Sequence, residues 1–551
     1  MARSFDSRLR VKTDYLAALT LTLAPLLYFS PVLLKHGVLC PDDGILQNVP
    51  LRFVIAQMIR SGYAPLWNPY IFSGMPLLAA AQGGVLFPLN WFYLEFSPMT
   101  ATNLSVLATC ALAGVGGYFY ARRAGVGIAG AFVTGVIWQW CGFMVAQIGH
   151  INAVQTAALL PWLLWAIDGF GKTGNRFEGA LVAAIVALQV FAGHQQTLVY
   201  SLSLALAYAA VMAFATSKPM RRRYLGSLTL IAAGLSLSAA QILPTGELMR
   251  NSIRASASYD FFSSFSLPPR FLLTFFAPYV VGGGDGRLFT APYMGEPFYG
   301  EYIGYVGLLA IGLGVISLRF FPDTRTKFWA GVAAVALLLA LGRFLLLGVY
   351  RLIYYIPVIN LFLVPARHLM EFDFAVAVLA GRGVAAVFAA KNSREMKRWT
   401  LAVGASIFLL TCLTVTAWRP VEFRLLRDAP ASLLRAPELF VPPIIAAFSA
   451  LALWIFARTP NRLAMICLFA VMLVDLSLWG QSSGWRRKGS CPLRESAYWR
   501  EPISMKFLRE PLDHDELFRV LTVPQSLDPN AQAGRSDSLT NSSRHCSLMF
   551  I

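Results

Sequence analysis

Two adjacent carboxylates, Asp42 and Asp43, stand in the run Pro41-Asp42-Asp43-Gly44, a few residues beyond Lys35-His36 and just after a long apolar segment. A carboxylate held at the edge of a membrane can take a proton from a hydroxyl as a general base or ligate a divalent ion. Neighbours on an extended chain point to opposite sides, so one of the pair faces a site while the other caps or orients. Followed by Gly44, they also fit a turn or the N-cap of a helix beginning near Ile45, a role compatible with catalysis by either. Further candidates lie far along the chain. Arg367, in Pro365-Ala366-Arg367-His368, could clamp a phosphate through charge-assisted hydrogen bonds, or pair with Glu371 one helical turn on. His150, His194, Gln195, Gln241 and Glu301 fall at the ends of apolar segments. Ionisable groups at that depth are costly and tend to line cavities, although helix–helix hydrogen bonding serves for any single one. Glu371 and Asp373 are two apart on a helix and face different ways, which argues against a metal site there. Gly282-Gly283-Gly284-Asp285-Gly286 does not follow a strand and open a helix, so it reads as a flexible loop rather than a phosphate cradle.

The elements that must position these groups follow from composition. With 57% hydrophobic residues, 13% charged residues and a mean hydropathy of +0.58, the chain reads as an integral membrane protein. A span needs about 20 apolar residues. Segments near 15–34, 101–120, 126–147, 151–168, 178–193, 198–216, 224–244, 302–318, 328–347, 369–390, 399–418, 439–457 and 463–480 predict an all-α polytopic fold of 13 transmembrane helices, within a range of 12 to 14. The fifth and sixth, divided by Gly193-His194-Gln195-Gln196, are either a tight hairpin or one kinked stretch. The first apolar run lacks a small-residue cleavage site and reads as a retained anchor.

Orientation follows from the Lys and Arg of short connections. With the N-terminus cytoplasmic, the inner segments hold 21 basic residues against 6 in the four short outer connections. Residues 1–480 then form a membrane-embedded domain with outer inserts at 35–100 and 245–301, and 481–551 form an extracytoplasmic tail. The net charge of +18 is explained by this topology and by anionic membrane lipids, so no nucleic acid is expected as a partner. Seven cysteines show no metal-ligand spacing and no disulfide framework.

In the first insert, Ile45 to Ser61 and Val85 to Phe96 mix apolar and polar residues as helices lying in the membrane interface do. Trp67, Tyr70, Phe72, Trp91 and Tyr93 are expected at headgroup depth. An aromatic belt accounts for most of these rings, but not for a long excursion that opens with two acids.

The run from Pro41-Asp42-Asp43-Gly44 through Gln47 and Pro50, then Leu66-Trp67-Asn68-Pro69-Tyr70-Ile71-Phe72-Ser73-Gly74-Met75-Pro76-Leu77, and Gln82 with Pro88-Leu89-Asn90, resembles the YfhO-type bacterial membrane proteins of the GT-C glycosyltransferase superfamily. Gly149-His150, Gly193-His194-Gln195-Gln196-Thr197, and Pro365-Ala366-Arg367 with Leu379-Ala380-Gly381 match further pieces. The resemblance spans roughly residues 10 to 525 and is most specific in the Trp67 to Leu77 run. It implies a GT-C-like fold in the bacterial plasma (inner) membrane, with the acidic motif and interfacial helices in the first outer loop. It also implies a sugar donor linked to polyprenyl phosphate and an extracytoplasmic glycan acceptor. Carried over residue by residue, the catalytic acid falls on Asp43 first and Asp42 second. Arg367, His194 and Lys35 would counter the donor phosphate, and Gln47, Trp67, Asn68, Gln82, His150 and Glu301 would line the substrates. A divalent metal, Mg or Mn, if used, would fall to Asp42 and Asp43. Relatives continue into a larger outer domain, whereas residues 525–551 lack a packing pattern and read as disordered. The tail is therefore expected to be a shortened outer domain.

Two other functions fit parts of the pattern. A lipid or polysaccharide transporter or flippase would show internal repeats and interrupted helices near the midplane, and the sequence has no convincing repeat. A non-catalytic envelope-assembly protein would differ only by a lost base, and both acids are present.

Overall fold

All thirteen apolar segments are helical, wholly or in part, in the computed structural model, which describes residues 2–41, 43–71, 74–252, 257–284, 286–390, 393–425 and 437–488. Among the described residues, nine helices are long and apolar enough to cross a membrane, or ten if the bent pair Lys218–Leu237 and Ala239–Arg250 is one span. The chain is thus an all-α, multi-pass membrane protein, although length and composition alone do not reach the expected 13. Two shortfalls have plain causes. The fifth expected span is the 16-residue helix Arg176–Phe191, and the eighth shrinks to the 13-residue Leu308–Phe320. Residues 302–307 ahead of it are buried but not helical, and such backbone is tolerated at membrane depth only where protein surrounds it. Here Tyr305 gives its carbonyl to the amide of Gly142. The fifth and sixth segments are two helices. Gly193 turns the chain at φ +85°, and His194 caps Gln195–Phe214 by accepting the Thr197 N–H on Nδ1 at 3.2 Å.

Leu369–Ala389 is the central helix, buried along almost its whole length. Apolar burial does not drive helices together in lipid, so close backbone approach at small residues matters. A Cβ on Gly130 would stand 2.2 Å from the Gly381 carbonyl, and one on Gly383 would stand 2.0 Å from the Leu313 carbonyl. These glycines let Leu369–Ala389 lie directly against Ile128–Trp140 and Leu308–Phe320. On the bundle exterior, Leu401, Leu409, Leu413 and Ile466 are exposed where acyl chains would lie.

The first insert packs across one end of the bundle. A π-turn, Gly44–Asn48, leads into the helix Val49–Arg60, with Pro50 in its first turn where the missing N–H is harmless. Trp67–Asn68 and Met75–Pro76 form an antiparallel hairpin, and the Trp67 indole lies over Gly74, where a Cβ would meet the ring at 2.5 Å. The segment 85–96 holds only the short helical turns Pro88–Asn90 and Phe92–Glu95. Tyr93, expected at headgroup depth, is instead buried, because its turn faces the Pro98–Arg123 helix and its hydroxyl bonds Thr102. Trp67, Tyr70 and Trp91 are exposed as expected, and Phe72 lies outside the described residues.

The expected inner connections meet at the opposite end. There Asp168, fully buried, accepts from Lys172 at 2.6 Å, Arg325 at 2.7 Å, Tyr224 at 2.7 Å and Tyr208 at 2.9 Å. Four helices are tied by this one carboxylate.

Candidate functional site

Two glycine-bearing turns stack at the insert-covered end of the bundle. A Cβ on Gly149 would stand 2.7 Å from the Pro41 carbonyl, and one on Gly44 would stand 2.2 Å from Cys40 Sγ and 3.3 Å from the Gly149 carbonyl. Because neither position has a side chain, the Asp43-Gly44 and Gly149-His150 turns close together. His150 Nε2 then lies 3.2 Å from Asp43 Oδ2. On the other side of the ring, Nδ1 is 2.5 Å from Gln147 Oε1 and 3.9 Å from Glu301 Oε1.

Glu301 follows a left-handed residue, Phe298, on a short 3₁₀ turn, and is 9% exposed. It meets Arg367 in a two-pronged pair, Nη2 to Oε1 at 2.6 Å and Nε to Oε2 at 3.0 Å. Burial alone would raise the Glu301 carboxyl, but the Arg367 guanidinium and His150 hold it below the usual carboxylate value. The third nitrogen of Arg367, Nη1, donates to Gln196 Oε1 at 3.1 Å and lies 3.3 Å from His194 Nε2.

Burial, then Arg367 and His150, push the His194 imidazole well below its ordinary pKa. Its Nδ1 faces the Thr197 amide N–H at 3.2 Å and the Thr197 hydroxyl at 2.7 Å, and its Nε2 faces Arg367 Nη1, which can only donate. The Arg367 guanidinium, with His194 beside it, is the group here that suits an anionic oxygen.

The structure thus brings together Asp43, His150, Glu301, His194 and Arg367, drawn from five separate stretches of chain. Arg367 pairs with Glu301 rather than with Glu371. The 3₁₀ turn Pro365–His368 turns Arg367 off the axis of the following helix, and Glu371 takes His368 Nδ1 instead, at 2.5 Å. Lys35 is exposed after the Ser30–Leu33 helix and makes none of these contacts. Gln47 and Gln82 hydrogen-bond each other at the side of the site. Trp67 and Asn68 lie in the hairpin, where Asn68 Oδ1 accepts the Tyr70 N–H at 3.0 Å in a local turn. Asp42 lies outside the described residues. Among the described residues no three His, Cys, Asp or Glu side chains are placed to hold a metal ion, so the divalent ion expected at the aspartate pair rests on the sequence alone.

No protein-family model matches the chain, and no curated protein does. Solved structures give distant likenesses. The cryo-EM structure of arabinofuranosyltransferase AftD from Mycobacteria has a TM-score of 0.43 and 16% identity, over 83% of this chain and 27% of that one. The crystal structure of ArnT from Cupriavidus metallidurans bound to undecaprenyl phosphate has a TM-score of 0.43 and 12% identity, over 87% of this chain and 77% of that one. This chain spans about a quarter of the length of AftD. Likenesses at this level carry no argument about fold or chemistry, and the site stands on its own geometry.

Sequence reading did not single out Gln147, Tyr200 or His368. Gln147 precedes His150 by one helical turn, a spacing that places both on one face, and this was the signal for it. Tyr200 stacks on the His368 ring at 3.8 Å and takes a hydrogen bond from Gln196 Nε2 at 2.9 Å. Nothing in the spacing of those two rings announces the contact.

Proposed function

We propose that this chain is a GT-C-type membrane glycosyltransferase of the bacterial plasma membrane. In this reading it moves a sugar, with inversion, from a polyprenyl-phosphate donor to an extracytoplasmic cell-envelope acceptor: a glycolipid, a teichoic-acid-like polymer or a protein. One observation supports it above the others. A carboxylate, Asp43, and a phosphate-seeking guanidinium, Arg367 with His194 beside it, flank the same His150–Glu301 cluster. That end of the bundle is the extracytoplasmic one if the N-terminus is cytoplasmic.

The acceptor oxygen attacks the anomeric carbon and gives its proton to Asp43. The bond from that carbon to the phosphate oxygen breaks, and its electron pair leaves on the phosphate. The growing negative charge meets Arg367, a preorganised donor of the kind that lowers such barriers, with His194 beside it. His150 orients Asp43. Lys35, exposed at the interface, and lipid-facing grooves between spans receive the headgroup and tail.

The test uses purified protein in lipid vesicles with polyprenyl-phosphate sugars, scoring sugar release or transfer with and without a chelator. Asp43→Asn should abolish transfer, and Asp42→Asn should weaken it less. Unchanged transfer in both variants removes the base assignment. No consumption of any donor by the wild type removes the transferase.

A transporter or flippase is favoured by one feature. The helix Ile128–Trp140 breaks at Cys141, and the fully buried Asp373 caps the next turn by accepting the Phe143 N–H at 2.9 Å. Interrupted helices are a transporter pattern. In the same vesicles it would give lipid movement between leaflets without sugar release.

A further inference from the structure

Arg52, on the helix Val49–Arg60, is 3% exposed, and among the described residues no carboxylate pairs with it. Its Nη1 and Nη2 donate to Asn48 Oδ1 and Asn152 Oδ1, each at 3.1 Å. Its Nε has no protein partner, and the side chain lines a cavity of about 10 Å³, room for about one water. Burial pulls the guanidinium below its ordinary pKa. A buried cation without a counter-charge costs several kcal/mol unless hydrogen bonds offset it. The charge at Arg52 acts on what it touches.

What it touches are two amides that it orients. With Oδ1 accepting from the guanidinium, each asparagine must turn Nδ2 the other way and donate. Asn48 donates to the Gly149 carbonyl at 3.1 Å. Asn152 donates to the Gln82 carbonyl at 2.5 Å and to the Ala192 carbonyl at 3.0 Å. Gly149 immediately precedes His150, and Ala192 leads into the Gly193-His194 turn. Asn48 closes the π-turn that begins just after Asp43. The fit is tight, since a Cβ on Gly193 would stand 2.1 Å from the Ala81 carbonyl and 3.2 Å from Asn152 Nδ2. An asparagine flipped end for end would set Oδ1 against these carbonyls, and a charge-assisted bond to Oδ1 is what prevents the flip.

We infer that Arg52 is a positioning residue: through Asn48 and Asn152, its guanidinium fixes the turns bearing His150 and His194 relative to Asp43. The inference rests on the transferase reading of that site. Arg52 touches neither substrate nor the reacting atoms; it sets the distances across which they react.

The test is the full-length protein in vesicles with a polyprenyl-phosphate sugar, comparing wild type, Arg52→Met, Arg52→Lys and Asp43→Asn for kcat, donor KM and thermal midpoint. A residue that serves stability alone lowers the midpoint and leaves kcat per folded molecule unchanged. For Arg52→Met the buried Asn48 and Asn152 oxygens lose their donor and the midpoint should fall, while kcat per folded molecule, read well below that midpoint, should be lower by about tenfold to a hundredfold with donor KM within about twofold. Arg52→Lys keeps the charge but not the two-armed reach, and should fold with kcat reduced at least about threefold. If Arg52→Met does not fold, Arg52→Lys decides on that criterion. Wild-type kcat in the variant that folds, or a loss that tracks the folded fraction, overturns the inference. A wild type that transfers and an inactive Asp43→Asn beside an unaffected Arg52 variant sinks this inference alone, whereas a wild type that consumes no donor sinks the transferase reading with it.

Discussion

Gln147 Oε1 lies 2.5 Å from His150 Nδ1, and the amide that presents it cannot turn over. Its Nε2 donates to the Gly300 carbonyl and to Glu301 Oε2, each at 3.0 Å. A backbone carbonyl only accepts, so Gln147 Oε1 must accept from His150, and the ring carries a proton on Nδ1. Nε2 is thereby the nitrogen turned to Asp43. Gln147→Leu releases this orientation, and kcat should fall about tenfold while donor KM stays within about twofold. Steady-state kinetics in vesicles read the split; a raised KM at unchanged kcat would place Gln147 in binding instead.

The Arg367 fork pairs with Glu301 on two nitrogens while Nη1 reaches Gln196 and His194, a geometry that a lysine cannot reproduce. Arg367→Lys keeps the charge and loses the fork. Donor KM is expected to rise about tenfold, a change of about 1.4 kcal/mol in binding. Titration of the donor in the same vesicle assay checks it, and an unchanged KM removes Arg367 from the donor site.

Acid should loosen this end of the molecule. Glu301 and His194 both have folded-state pKa values held below their ordinary ones. The unfolded chain therefore binds their protons first as pH falls, so their contribution is complete above the unfolded values and is lost as pH drops through the folded ones. The loss begins below about pH 6.5 for His194 and below about pH 4.3 for Glu301. Thermal midpoints between pH 8 and pH 5 should decline for wild type, and His194→Asn, which keeps a capping side chain, should flatten that decline. An identical slope in the variant assigns the decline to other groups.

Asp168 offers the contrasting case. Asp168→Asn leaves Lys172 and Arg325 facing each other without their carboxylate, and breaking such a buried cluster costs about 3–5 kcal/mol. The thermal midpoint should drop clearly. Transfer per folded molecule should not change, because the cluster ties helices at the end of the bundle away from Asp43. A lower kcat in the folded fraction would couple the two ends.

The helices were legible because long apolar runs admit little else in a membrane. The polar ends of those runs also named Asp43, His150, His194, Glu301 and Arg367. Partnerships were less legible. Arg367 was offered Glu371 by helical spacing, and the short 3₁₀ turn at Pro365–His368, which spacing does not reveal, gave it Glu301. The Asp43–His150 contact had a sequence sign in Gly44 and Gly149, two glycines that are small because their turns touch. That reason is visible only once they stack. Arg52 went unread because a basic residue in a mixed interfacial helix looks solvated, and only the packing of Asn48 and Asn152 over it shows otherwise.

The stacked turns also set a schedule. His150 follows Asp43 by 107 residues, and Arg367 follows His194 by 173. At a synthesis rate of about 5–20 residues per second, the first aspartate waits on the order of half a minute before its last partner leaves the ribosome. For the early part of that interval, until 100 residues beyond Arg52 have been made, Arg52 has no Asn152 to hold. The site is a late product of biogenesis, and the nascent chain passes through a stage in which Asp43 and Arg52 lack the partners they have in the folded protein.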